Sequence, residues 1–378
     1  MSINELNKID KHGIQRLPIL TKENLRKFAK TDLLSNDKNF FAKSFYPSSG
    51  STGTPVNILL AKSVHQKWNA LYEARVRKWA GVNRNFSRAM IGGRRVLPHA
   101  IATKPFYRIN IFENQYYFSA YHINKKNAIH YLEAINNKSI NYLVGYAMSI
   151  YFLALFIEEN KLESKRLIAV LTSSEKLTNE MRETIQRVFG CKVFDAWSGI
   201  EGCGLISECE HGKLHISPDA GIIEVLDENL KPIGFNKVGK VYCTGLLNYD
   251  QLLIRYAIGD EIILSDEKCN CNRNMPVVKE IIGRIENVVY SKDGRKMVRF
   301  HSVFHNLVSI QKAQIIQESL DKIVVNIIPI VGGASQIDID LIKRRVHSQI
   351  DDVQIEIIEV TEIPITSNGK FKAVISKV

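Results

Sequence analysis

The chain has 378 residues, 45% of them hydrophobic and 24% charged, with 51 Lys+Arg against 39 Asp+Glu and a formal charge of +12. This composition excludes disordered, collagenous and membrane-embedded classes, and the length passes the roughly 250–300 residues at which one hydrophobic core stops growing, so two domains are expected. Anionic small molecules, acidic carriers, nucleic acid and a membrane surface are all compatible with this charge, but the basic residues are dispersed, without long runs or periodic aromatic platforms, so nucleic acid is not expected and a solvated basic surface is the plainer reading.

Along the chain, residues 3–43 read as a polar, helix-rich stretch ending at the punctuators Pro47 and Gly50. It begins without an apolar secretory run, which predicts a cytoplasmic protein whose six cysteines are thiols or metal ligands. A strand is predicted at 56–60 and an amphipathic helix at 62–79. The apolar run 143–157 is broken by Gly145 and Ser149 and falls short of the ~20 residues that span a bilayer, which predicts a buried helix and no integral membrane protein. A β-α-β succession follows, with strand 166–171, helix 179–189 and strand 192–196. Alternating runs at 221–226, 240–244, 252–256 and 261–264 predict an antiparallel sheet or barrel. From 284 the chain restarts with strand 288–290, a Lys292-Asp293-Gly294 turn, strand 322–329, helix 337–350 and strand 353–360. The fold class expected is α/β: a large multi-sheet N-terminal domain, 1–283, and a small α+β C-terminal domain, 284–378, of ~95 residues.

Five clusters could carry chemistry. In Tyr46-Pro47-Ser48-Ser49-Gly50-Ser51-Thr52-Gly53-Thr54-Pro55, glycines permit a tight turn and hydroxyls stand beside backbone N–H groups, as phosphate binding requires, although these are also ordinary loop residues. It lacks the Gly-Lys-Ser/Thr ending of a Walker loop. Trp197-Ser198-Gly199-Ile200-Glu201 follows a predicted strand, where an aromatic can stack on a base and Glu201 can ligate Mg²⁺, or where both are simply packing and surface. Leu253 to Asp260 is read as a strand ending in a Gly259-Asp260 turn that offers a carboxylate to a pair of sugar hydroxyls. Gly283-Arg284-Ile285-Glu286-Asn287 sits at the expected domain junction. Pro364-Ile365-Thr366-Ser367-Asn368-Gly369-Lys370 offers one lysine on a loop.

In this order the clusters resemble the adenylate-forming superfamily of acyl-CoA synthetases and nonribosomal adenylation domains. Within it, Tyr46 to Pro55, Glu208-Cys209 with Leu214-His215, Ile254 to Asp260 and Cys269-Asn270-Cys271 are most similar to the phenylacetate-CoA ligase-related branch, including CapK-like capsular polysaccharide biosynthesis proteins. The resemblance implies that Ser49, Gly50, Ser51, Thr52, Gly53 and Thr54 hold the ATP phosphates, that Ser174-Glu175 lines the adenine pocket and that Trp197 flanks the base. It assigns Glu201 to Mg²⁺, Asp260 to the ribose hydroxyls, Arg284 to the ribose or phosphate side, Glu286 to the hinge of a mobile C-terminal domain, and Lys370 to the substrate carboxylate and α-phosphate. Three departures stand out: Ser198 replaces the glycine usual after the aromatic, with Gly199 one place later; Glu286 replaces an aspartate; and Ile365 replaces an arginine. The chain also starts closer to its phosphate loop than the relatives it resembles do.

Cys209, His215, Cys269 and Cys271 form a candidate Zn²⁺ set, because structural zinc is held by four soft thiolate and imidazole donors. The CapK-like branch is similar in this Cys/His plus Cys-x-Cys pattern. His211 is a rival ligand, and Cys191, Cys203 and Cys243 read as small core residues.

The implied activity is ATP- and Mg²⁺-dependent conversion of a small-molecule carboxylic acid to an acyl-adenylate with release of pyrophosphate, followed by acyl transfer to an acceptor thiol, amine or hydroxyl. CoA is the default acceptor. Tyr116, Tyr117, Phe118, Tyr121, His122 and the aromatics from Tyr142 to Tyr151 could line an acyl pocket or serve as core. The alternatives are nucleotidyl transfer that leaves AMP on the product, or a nucleotide-binding scaffold without turnover.

Overall fold

A computed structural model describes residues 13–28, 43–47, 56–94, 96–97, 103–282, 289–292, 296–297, 303–304, 307, 309–330, 332–347, 350, 353–363 and 374–378. The chain divides into two compact units. One comprises Met1–Tyr46, Val56–Trp79 and Ala196–Arg284; the other comprises Pro47–Pro55, Ala80–Asp195 and Ile285–Val378.

In the first unit, antiparallel strands run in the order Gly221–Leu226, Val238–Gly245, Tyr256–Ser265, Val277–Ile281, Leu214–Ile216, Leu205–Glu208 and the end of Lys192–Ser198. Their inward residues, including Val225, Val241, Ile206, Ile262 and Val278, share one core with Ile58, Leu60 and Val64 from the strand Asn57–Ala61 and the helix that follows it. Residues 62–79 are helical as expected, but the α-helix Lys62–Tyr72 passes into a π-turn at Glu73–Arg77.

Three sequence expectations change here. Among the described residues of 3–43, helix is confined to a 3₁₀ turn at Gly13–Arg16 and the helix Lys22–Phe28, and a strand starts at Lys43. Thr21 and Asn24 cap that helix reciprocally, each accepting from the other's backbone N–H at 3.1–3.2 Å. Residues 252–255 are not strand, and Gly259-Asp260 is not a turn. Both lie inside the strand Tyr256–Ser265, whose pairing with Val238–Gly245 slips between Lys240 and Tyr242. A bulge accommodates the glycine that read as a chain reversal.

In the second unit, parallel strands Ala169–Ser173, Tyr142–Tyr146, Arg88–Gly92 and Gln115–Ser119 lie side by side, with Tyr107–Asn110 antiparallel at the edge. The apolar run expected as one buried helix is a strand, Tyr142–Tyr146, followed by a helix, Ala147–Glu159. Gly145 makes this possible, since a Cβ there would collide with the Ile91 carbonyl of the neighbouring strand. The strand expected at 166–171 sits slightly later, at Ala169–Ser173. Phe118, Tyr131, Tyr142, Ile150 and Leu153 are fully or almost fully buried, which makes Phe118 and Tyr142 core residues.

From residue 289 onward a smaller α/β layer has its own core. Its strands run in the order Gln354–Glu359, Lys322–Pro329, Ile310–Ser319 and Val374–Ser376, with the helix Gln336–His347 contributing Ile342 and Val346. The fold class is therefore the expected one: a large mixed α/β N-terminal part and a smaller C-terminal α/β part. The expected boundary at 283–284 lies outside the described residues.

Candidate active site

Trp197 and Ser198 end the strand Lys192–Ser198 instead of following it, and the chain then turns through Gly199 to Glu201. The turn brings Glu201 beside the start of the strand Tyr256–Ser265, which carries Asp260. Two aromatic donors link these segments. The Trp197 indole Nε1 donates to Asp260 Oδ2 at 3.2 Å, and the Tyr256 hydroxyl donates to Glu201 Oε1 at 3.4 Å. Trp197, Glu201 and Tyr256 are buried and Asp260 is half-buried, so the Glu201 carboxylate in particular is steered in a low-dielectric setting where a single hydrogen bond counts for more than in water.

Gly199 explains the displaced glycine. A Cβ at this position would run into Glu201 Oε2, the free end of a flexible side chain, so a residue with a side chain here would make that carboxylate shift. Three sequence-predicted residues, Trp197, Glu201 and Asp260, therefore come together in the first unit. The roles of Tyr256 and Gly199 were missed because neither carries a charge in the motif. The neighbouring Arg255 is buried and structural, donating to Glu224 Oε2 at 3.0 Å and to the carbonyls of Gln15 and Leu17 at 2.8 and 2.6 Å.

Ser174 and Glu175 belong to the second unit, just past the strand Ala169–Ser173. Glu175 Oε2 accepts from the Met148 N–H at 2.9 Å, so its negative charge sits at the N-terminus of the helix Ala147–Glu159. Ser49, Gly50, Ser51, Thr52, Gly53, Thr54, Arg284, Glu286 and Lys370 lie outside the described residues.

Cys209, His215, Cys269 and Cys271 do converge: their donor atoms all lie within 4.8 Å of one another. His211 is exposed and is not among them. Burial lowers the pKa of His215 and pushes the Cys269 thiol up to about 11. Burial opposes ionisation of Cys271 as well, yet hydrogen bonds from Arg273 and its neighbours hold this thiol below its usual value. Cys203 and Cys243 are buried and Cys191 partly so, as expected of core residues.

The family model described as the CapK C-terminal domain matches residues 289–377. Protein CapK of Staphylococcus aureus is 28% identical over 326 residues, which cover 85% of this chain and 70% of that one. A crystal structure of 2-hydroxyisobutyryl-CoA ligase in the postadenylation state, in complex with R3-HIB-AMP, aligns with 100% of this chain and 83% of its own at a TM-score of 0.58 and 16% identity. An open conformation of the same ligase, in complex with 2-HIB-AMP and CoA, aligns with 99% and 84% at a TM-score of 0.56 and 17% identity. The chain thus shares its fold with 2-hydroxyisobutyryl-CoA ligase, matches the CapK C-terminal domain over residues 289–377 and is similar to Protein CapK over 326 residues.

Proposed function

We propose that the protein activates a carboxylic acid with ATP and then passes the acyl group to a second nucleophile. In the first half-reaction a carboxylate oxygen attacks the α-phosphorus, the bond to the oxygen bridging to the β-phosphate breaks, and pyrophosphate leaves. In the second, a thiol, amine or hydroxyl attacks the acyl carbon, loses its proton and displaces AMP. CoA is the default acceptor, by analogy with the ligase whose complex contains it.

The observation that carries this reading is the pair of tethered carboxylates, Asp260 on Trp197 and Glu201 on Tyr256, on this fold. Asp260 would orient the ribose by accepting from its hydroxyls, and the rim of Trp197 would flank the base. The carboxylate of Glu201 suits a hard cation, and Mg²⁺ held there would screen the phosphate charge. Ser49, Gly50, Ser51, Thr52, Gly53 and Thr54 would supply the phosphate loop, Arg284 a contact on the ribose or phosphate side, and Lys370 the positive charge that offsets two approaching anions. The altered Trp197-Ser198-Gly199 segment is what favours a scaffold without turnover, and the retention of both Glu201 and Lys370 argues against it.

Exchange of labelled pyrophosphate into ATP, screened over aromatic, short aliphatic, amino and sugar acids, tests the first half-reaction without knowledge of the acceptor. Acid-dependent, Mg²⁺-dependent exchange is expected. A product that retains AMP through the whole reaction would replace this reading with nucleotidyl transfer.

A further inference from the structure

The Cys209, His215, Cys269 and Cys271 cluster plays no part in the adenylation chemistry, yet its four donors come from two separate clips. In the first, Cys209 closes a tight turn, with its N–H on the Lys213 carbonyl at 2.9 Å and its own carbonyl accepting from Gly212 at 2.9 Å. His215 follows within the strand Leu214–Ile216. In the second, the backbone N–H of Cys271 points at Cys269 Sγ at 3.5 Å, and the Asn272 N–H reaches the Cys269 carbonyl at 3.3 Å. The strand Val277–Ile281 joins the clips, pairing His215 with Val277 on one side and Ser265 with Val277 on the other.

Two distances within the cluster are close to those around a tetrahedral ion. Cys209 Sγ and Cys269 Sγ are 3.6 Å apart, and Cys271 Sγ and His215 Nε2 are 3.4 Å apart. Donors about 2.3 Å (sulfur) and about 2.0–2.1 Å (nitrogen) from one Zn²⁺ would be separated by about 3.8 and about 3.6 Å. A Cys209–Cys269 disulfide would need an S–S separation of about 2.05 Å instead. Three thiolates and a neutral imidazole around a dication leave one net negative charge, which a part-buried site tolerates only with a cationic neighbour.

That neighbour is present. The Arg273 guanidinium, two residues past Cys271, lies 4.4 Å from the centre of the Trp79 ring and pairs with Glu210 Oε2 at 2.8 Å. Trp79 in turn meets the His215 ring edge-on at 5.9 Å. We infer that Cys209, His215, Cys269 and Cys271 form a structural zinc site that pins the two clips together, and that Arg273, stacked on Trp79, is its charge-balancing positioning residue.

Full-length protein purified without added zinc should contain about one Zn per chain by elemental analysis. Cys269→Ser and His215→Ala should lower occupancy, whereas His211→Ala should keep it. Should those variants fail to fold, wild type exchanged into Co²⁺ should show thiolate-to-cobalt charge transfer and tetrahedral d–d bands. Zinc-free wild type without cobalt–thiolate absorption overturns the site, as does full occupancy in folded Cys269→Ser. Arg273→Ala should release zinc to a chromogenic chelator roughly 10-fold faster, with Arg273→Lys in between and Arg344→Ala unchanged. An unaltered release rate in Arg273→Ala removes Arg273 from the inference. None of these readouts depends on adenylation activity.

Discussion

Glu201 is defined by two residues with no charge of their own. Tyr256 holds Oε1, and the bare Cα of Gly199 leaves space for Oε2. If this carboxylate ligates Mg²⁺, Glu201→Gln should raise the Mg²⁺ concentration needed for half-maximal exchange, because a neutral amide replaces an anionic ligand. Tyr256→Phe should shift the same quantity in the same direction by a smaller factor, of about 3- to 10-fold, consistent with the loss of one hydrogen bond worth ~1 kcal/mol. A Mg²⁺ titration of the exchange reaction checks both, and identical curves for wild type and Glu201→Gln would make Glu201 structural. Gly199→Ala should shift the Mg²⁺ requirement in the same direction as Glu201→Gln but by a smaller factor, since the added methyl displaces the tip of a flexible side chain whose charge remains.

Among the elements, the antiparallel sheet and the β-α-β succession were readable because period-2 alternation and the capped amphipathic helix at Asn179–Phe189 are local signals. Thr178 accepts from the Met181 N–H at 3.2 Å there, as a helix N-cap should. The strand inside 142–146 was not readable, since apolar residues continue across it into the next helix and only the approach of Ile91 to Gly145 marks the change. Gly259-Asp260 failed for the converse reason: turn chemistry was present in the sequence, but Ala257 and Glu261 on either side of it pair with Tyr242 and Lys240, so the chain stays extended and takes the glycine up in a bulge. The candidate site was legible through its charged and aromatic residues, whereas Tyr256 and Arg273 acquire roles only through partners distant in sequence. Arg255 was legible as part of a motif but not as a staple. Its guanidinium and Glu224 are both almost fully enclosed, with side chains 4% and 9% exposed. Arg255→Met should therefore cost about 3–5 kcal/mol in a urea unfolding series, because it strands a buried carboxylate. A loss below about 1 kcal/mol would show that water reaches Glu224.

Across the chain as a whole, the proposed adenylation needs one lysine near the C-terminus to act on chemistry prepared by the N-terminal part. Lys370→Ala should lower adenylation roughly 10²- to 10⁴-fold while leaving ATP affinity nearly intact, since the charge acts mainly in the transition state. Comparing exchange rates with equilibrium ATP binding checks this, and unchanged exchange would remove Lys370 from the mechanism. A C-terminal domain that delivers Lys370 and then withdraws needs a pivot, proposed at Glu286. Fixing φ there with Glu286→Pro should separate the half-reactions, impairing exchange or single-turnover acyl transfer from preformed adenylate but not both equally. Carboxylate attack on the α-phosphorus leaves a mark that oxygen tracing reads. With the acid that supports exchange labelled with ¹⁸O in its carboxyl group, one turnover should place one labelled oxygen in the phosphate of released AMP. Unlabelled AMP, or label appearing in pyrophosphate or inorganic phosphate, would contradict it.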